Sequence, residues 1–152
     1  MRNTKLIIVN IARAILAITF IFSGFVKAID PLGSQYKIKE YLEAVHMSSY
    51  IPEWTQLLLS IGLSAIEFTL GILLLLAIQR RKVSKLVVAF TAIMTLITLW
   101  LTISNPIQDC GCFGDALKLT NAQTFSKNIV LLLAALVLVK WPLYQARFIS
   151  KT

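Results

Sequence analysis

Four long apolar blocks, separated by charged or turn-forming segments, constrain this chain more than any other feature. A helix that crosses a bilayer needs roughly 20 mostly apolar residues. Stretches of about that length occupy residues 6–26, 54–78, 86–104 and 124–144. Arg13 interrupts the first and Glu67 the second, while the third carries no charge. The fourth is continuously apolar only over 129–139, and it reaches spanning length when Lys127 and Lys140 snorkel towards the interfaces. The first block is longer than the apolar core of a signal peptide, and no A-x-A-like site follows it, so it is expected to remain as a span. Composition agrees. The 152 residues are 57% apolar and 14% charged, against about a quarter charged in soluble domains. Disorder is excluded too, because it requires low hydrophobicity with high charge density. The expected fold is all-α: one integral membrane four-helix bundle over residues 1–152.

The 15 Lys+Arg outnumber the 7 Asp+Glu. No soluble basic domain exists to hold a duplex, so nucleic acid is not an expected partner; the lipid bilayer is. Four spans put both termini on one side, together with Arg2, Lys5, Arg80, Arg81, Lys82, Lys85, Lys140, Arg147 and Lys151 and no acidic residue. The other side holds Lys27, Lys37, Lys39, Lys118 and Lys127 with six of the acids. The positive-inside bias then predicts cytoplasmic termini and extracytoplasmic loops after the first and third spans.

The first of those loops, residues 27–53, breaks at Asp30-Pro31-Leu32-Gly33. Ile38, Tyr41, Leu42 and Val45 then fall at i, i+3, i+4 and i+7, with Lys37, Lys39, Glu40 and Glu43 opposite. This spacing predicts a short amphipathic helix on the membrane or over the bundle mouth.

Inside the spans, small and polar residues form stripes: Asn10, Arg13, Ala17, Gly24 and Lys27; Ser60, Ser64, Glu67 and Gly71; Thr91, Thr95, Thr98 and Thr102. Packing accounts for the small residues, and hydrogen bonds between helices for the hydroxyls. Arg13 and Glu67 demand more, because a lone charge in hydrocarbon is costly. Counted from the helix ends, their depths differ by about one turn, which predicts an ion pair between the first two spans. Its role is either to specify helix assembly or to serve proton or quinone chemistry.

Both cysteines of the chain lie in Asp109-Cys110-Gly111-Cys112-Phe113-Gly114-Asp115, just beyond the third span. A disulfide across one residue closes almost no loop and would stabilise weakly as a staple. An i,i+2 pair meets disulfide geometry only with local strain, which Gly111 partly relieves. A strained, exposed disulfide exchanges readily, so the spacing favours reversible thiol chemistry at Cys110 and Cys112. Asp109 and Asp115 oppose thiolate formation, and Lys118 or the positive end of the fourth helix offsets them. Zinc needs four ligands, and the single histidine, His46, lies in another loop, so no metal is expected. Copper(I) would find no third ligand beyond Met47.

Ser23-Gly24-Phe25-Val26-Lys27-Ala28-Ile29-Asp30-Pro31-Leu32-Gly33, Tyr41-Leu42 and the mid-membrane Glu67 resemble the DoxX-like membrane proteins. Asp109-Cys110-Gly111-Cys112-Phe113-Gly114 resembles their MauE-type branch. The resemblance covers most of the chain. It implies a four-helix protein of the bacterial inner membrane that helps mature a disulfide-rich periplasmic enzyme beside thioredoxin-like partners, with Cys110 and Cys112 as the redox pair. The expected function is therefore a thiol–disulfide redox component serving a periplasmic thioredoxin-like or cysteine-rich partner. The alternatives are a quinone-interacting oxidoreductase subunit, to which the DoxX side of the resemblance points, and a non-enzymatic subunit of a larger membrane complex.

Overall fold

The computed structural model describes residues 1–114 and 116–145; Asp115, and Arg147 and Lys151 of the charge count, lie outside the described residues. The fold is an all-α membrane bundle. Its elements are α1 (Arg2–Ile29), α2 (Pro31–Ala44), α3 (Glu53–Leu75), α4 (Arg80–Ser104), α5 (Asn121–Lys140) and a 3-10 turn at Pro142–Tyr144. α1, α3, α4 and α5 are each long and apolar enough to cross a membrane. Many large apolar side chains on them face outward, among them Ile18, Ile66, Leu96 and Leu133. In lipid that outward face is solvated by acyl chains, and only backbone polar groups must be satisfied internally, as they are in helices.

α1 and α3 form the tightest pair. A Cβ on Gly24 would stand 2.6 Å from the Phe68 backbone nitrogen, and one on Gly71 2.7 Å from Ile21 Cγ1. Small residues thus bring two backbones together where no solvent drives association. α4 packs chiefly on α5, α1 also meets α5, and α3 and α4 touch little. Val9, Leu16, Leu74, Val87, Ala135 and Leu138 fill the core towards the end that holds the N-terminus.

Element ends differ from the sequence expectation at α1, which runs over Arg2–Ile29 where 6–26 was expected, and in two further places. α5 begins at Asn121, because Thr120 and Gln123 form a reciprocal capping box, and it stops at Lys140 before Pro142. α3 ends at Leu75 and α4 already begins at Arg80, the chain reversing through Ala77 and Gln79 in left-handed conformations (φ 53° and 44°). The expected interhelical bonding of the threonine stripe is also revised. Thr91, Thr95, Thr98 and Thr102 each donate to the carbonyl four residues earlier in their own helix. The bond that crosses to α5 comes from Asn128, whose amide nitrogen donates to Thr98 Oγ1 at 3.2 Å.

The loop helix α2 forms as expected. Asp30 ends α1 and caps α2, accepting from the Gly33 amide at 2.9 Å, with Pro31 in the first helical position. It packs on α3, and Ser60 donates to the Pro31 carbonyl at 3.0 Å.

Candidate functional site

Cys110 and Cys112 are joined in a disulfide, with Cα atoms 5.3 Å apart. Gly111 between them has φ +63°, a left-handed conformation that favours glycine. The loop that carries the pair is pinned on both sides. An isolated antiparallel bridge ties Asp109 to Thr120, and the Asn121 side chain donates to the Ile107 carbonyl at 2.6 Å and to Asn105 Oδ1 at 3.1 Å. Phe113 is buried against Phe22 of α1, ring centroids 5.6 Å apart, and Lys127 Nζ rests 4.1 Å above its ring. The loop is therefore seated on the bundle.

Two further contacts hold the backbone on either side of Gly111. The Tyr41 hydroxyl of α2 donates to the Cys110 carbonyl at 2.8 Å, and the Ser23 hydroxyl of α1 donates to the Cys112 carbonyl at 2.6 Å. Burial first, then the negative charges of Asp109 and Glu40, push the Tyr41 phenol well above its ordinary value, so it remains a donor across the physiological range. Lys37 lays its stem over Gly111, where a Cβ would meet Lys37 Cγ at 2.6 Å, and its ammonium pairs with Asp109 and Glu40, each at 2.9 Å. Burial alone would lower the Lys37 ammonium; the hydrogen bonds and charges of Asp109 and Glu40 outweigh it and raise it. The sequence pattern placed Lys37 on the solvent face of the helix. Its ammonium is instead the cation that compensates Asp109, the task expected of Lys118.

The expected Arg13–Glu67 pair is not what forms. Glu67 is paired with Lys27, whose Nζ lies 2.9 and 3.0 Å from the two carboxylate oxygens. Ser23 Oγ also lies 2.8 Å from Glu67 Oε2, so its single hydrogen serves either that carboxylate oxygen or the Cys112 carbonyl. All three side chains are buried, so the ion pair sits inside the bundle with hydrogen bonds on both oxygens. Register explains the change. Gly24 meets Phe68, Gly71 meets Ile21, and continuing this antiparallel alignment puts Lys27 near the turn holding Glu67 and Arg13 near Gln79. Arg13 is buried in α1 towards Arg80, at the opposite end of the bundle. Depth counted from the Lys5 and Gln79 ends failed because those ends are not level: in this register Gln79 stands beside Arg13, so α1 starts well beyond the end of α3.

Ser23 thus joins two systems, bridging the buried Lys27–Glu67 pair and the Cys112 carbonyl. A cavity of about 40 Å³ lies there, lined by Ser23, Glu67, Cys112, Phe113, Lys127 and Asn128. A second cavity, about 400 Å³, lies between α2, α3, α4 and the cysteine loop. Both cysteines form part of its wall, Lys27 and Ser60 add polar groups, and Ile38, Leu42, Leu63 and Ile97 make it largely apolar. The structure therefore brings Cys110, Gly111, Cys112 and Asp109 together with Glu67 through Ser23, and leaves Arg13 apart. Ser23, Lys27, Lys37 and Tyr41 were not among the expected site residues. Lys27 was visible as the last member of the first span's polar stripe and as a loop charge, and Lys37 only as a charge on the polar face of the loop helix. Among the described residues, no three His, Cys, Asp or Glu side chains gather as metal ligands.

No curated protein and no solved structure is similar enough to the chain to extend the comparison. The family model described as "Methylamine utilisation protein MauE" matches residues 5–140, which takes in all four spans and the cysteine loop. A four-span bundle that seats a Cys-Gly-Cys disulfide at one end, matched over most of its length, belongs to the MauE family.

Proposed function

We propose that this protein is a thiol–disulfide redox component of the bacterial inner membrane, exchanging disulfides between Cys110–Cys112 and a periplasmic thioredoxin-like or cysteine-rich partner. The single observation that carries the reading is a disulfide across one glycine, gripped by its carbonyls at the end of a membrane bundle. Such a bond adds little as a staple, since it closes almost no loop. The grip falls on backbone oxygens of both cysteines, so the loop can keep its place while the sulfurs change partners.

Exchange proceeds in two displacements. A thiolate of the partner attacks one sulfur, the Cys110–Cys112 bond breaks, and a mixed disulfide forms as the other cysteine leaves as thiolate and takes a proton. The partner's second thiolate then attacks the mixed disulfide, which releases the partner oxidised and the Cys110/Cys112 pair as a dithiol. Two electrons and two protons pass from partner to loop; the reverse sequence reduces a partner disulfide. Lys37 offsets the negative charge of Asp109 over Gly111, and Lys127, over Phe113, shares the small cavity with Cys112 and supplies positive charge there.

Trapping tests the reading. Cys110→Ser or Cys112→Ser, expressed in cells, should accumulate a mixed disulfide with a periplasmic protein, visible on non-reducing gels and lost with dithiothreitol. The double variant should trap nothing. Absence of any mixed disulfide from both single variants, with normal amounts of folded protein in the membrane, overturns it.

A further inference from the structure

A dithiol produced by exchange must be reoxidised before it can act again, and this chain has no second cysteine pair to pass the electrons to. We propose that the 400 Å³ cavity between α2, α3 and α4 binds a lipid-soluble quinone, and that Cys110 and Cys112 deliver their electrons to its ring there; the proposal rests on the thiol–disulfide reading above.

Position comes first. Both sulfur-bearing residues line this cavity, so a molecule inside it is in direct reach of the redox pair. Its deepest residues, Leu63 on α3 and Met94 on α4, each lie ten residues from the helix end nearest the cysteine loop, about 15 Å along the helix. The cavity thus runs from the loop to about the middle of a 30 Å hydrocarbon layer.

Access comes second. α3 and α4 touch little, and Trp100, 38% exposed, stands on the lipid side of the gap. A ring carried on an isoprenoid tail can enter from the bilayer while the tail remains in lipid. Ile38, Tyr41 and Leu42 of α2 make the wall beside the cysteine loop apolar, which suits a lipid-soluble ring.

Chemistry comes third. The walls are apolar with a few polar groups, the usual make-up of a small-molecule site of this size. Lys27 has three N–H donors and directs two at Glu67, which leaves one for a ring oxygen. As an ammonium it also favours the negative charge that develops on an oxygen receiving electrons. Balance is complete. The two thiols lose two electrons and two protons and the Cys110–Cys112 bond forms; the quinone gains the same two electrons and two protons and leaves as quinol.

The test uses full-length protein in nanodiscs with decylubiquinone. Calorimetric titration reads binding, ultraviolet absorbance reads quinone reduction, and maleimide counting reads the thiols. The reduced protein should convert about one quinone per chain while losing both thiols. Cys110→Ser/Cys112→Ser should still bind but reduce none. Leu63→Trp and Ile97→Trp, which fill the cavity from opposite walls, should each weaken binding at least tenfold while the disulfide still exchanges with a dithiol peptide. Exchange with the peptide but no quinone binding or reduction overturns this proposal and leaves the thiol–disulfide reading standing. Quinone reduction without peptide exchange supports the proposal and overturns that reading. Undiminished binding in both filled variants, each verified as folded by its melting profile, places the quinone elsewhere and overturns the assigned site.

Discussion

Both carboxylate oxygens of Glu67 accept from Lys27, with the Ser23 hydroxyl beside one of them, and all of these groups are buried. Removing one member of a buried pair strands the other charge in low dielectric, at a cost of about 3–5 kcal/mol. Glu67→Gln should therefore lower stability in detergent by that order, read by thermal or denaturant unfolding. Lys27→Met/Glu67→Leu, which removes both charges, should recover most of the loss. A neutral Glu67→Gln, with no benefit from the double change, would mean that the pair contributes nothing. The sequence revealed that Glu67 must pair, since an intramembrane carboxylate demands a partner. It did not reveal which cation, because Arg13 and Lys27 occupy one stripe and only the α1–α3 register separates them. That register is set by Gly24 and Gly71, residues legible as small but not as mutually aligned.

At the scale of elements, the glycine crossing makes a contrast within one helix. A side chain at Gly71 would press on the Ile21 backbone nitrogen at 2.8 Å, whereas a Cβ at Gly62 meets nothing within 4 Å. Gly71→Val should cost about 1–3 kcal/mol through forced separation of α1 and α3. Gly62→Ala should be neutral or gain up to about 1 kcal/mol from helix propensity, by the same unfolding measurement. The loop helix α2 is a different kind of element, held by a latch: Tyr41 on the Cys110 carbonyl and Lys37 on Asp109. Tyr41→Ala should speed maleimide labelling of the reduced cysteines several-fold, and Lys37→Met should do so less. Because the Lys37 ammonium is raised, its contribution is fully present below the ordinary lysine value of 10.5 and is lost only as pH rises through the higher folded value. Latch strength should therefore be flat from pH 6 to 9, and a labelling rate that tracks Lys37 across that window would contradict the assignment. The spans and α2 were legible from periodicity and block length. The earlier start of α5 was legible as well, in Thr120 followed three residues later by Gln123, but apolar counting overlooks a capping box.

For the whole molecule, orientation rests on charge, and the fold sharpens the count. Lys27 lies inside the bundle beside Glu67, so it no longer weighs as a loop residue at the cysteine end. Lys37 and Lys39 are each paired with carboxylates there. At the other end Arg2, Lys5, Arg80, Arg81, Lys82, Lys85 and Lys140 stand among the described residues with no acidic residue near them in sequence. The positive-inside bias then predicts the α3–α4 turn in the cytoplasm and the cysteine loop in the periplasm, the orientation that our functional proposal requires. Intact cells treated with a membrane-impermeant maleimide test this together with the redox state. The native protein should stay unlabelled, because its two thiols are joined, and both cysteines should label after mild reductant. A reporter thiol, Lys82→Cys in a Cys110→Ser/Cys112→Ser background, should label only once the membrane is opened. Labelling of that reporter in intact cells, with silence from the reduced loop, would invert the topology and separate the loop from any periplasmic partner. Labelling of the loop before any reductant would mean a resting dithiol, and with it a protein that donates electrons outward.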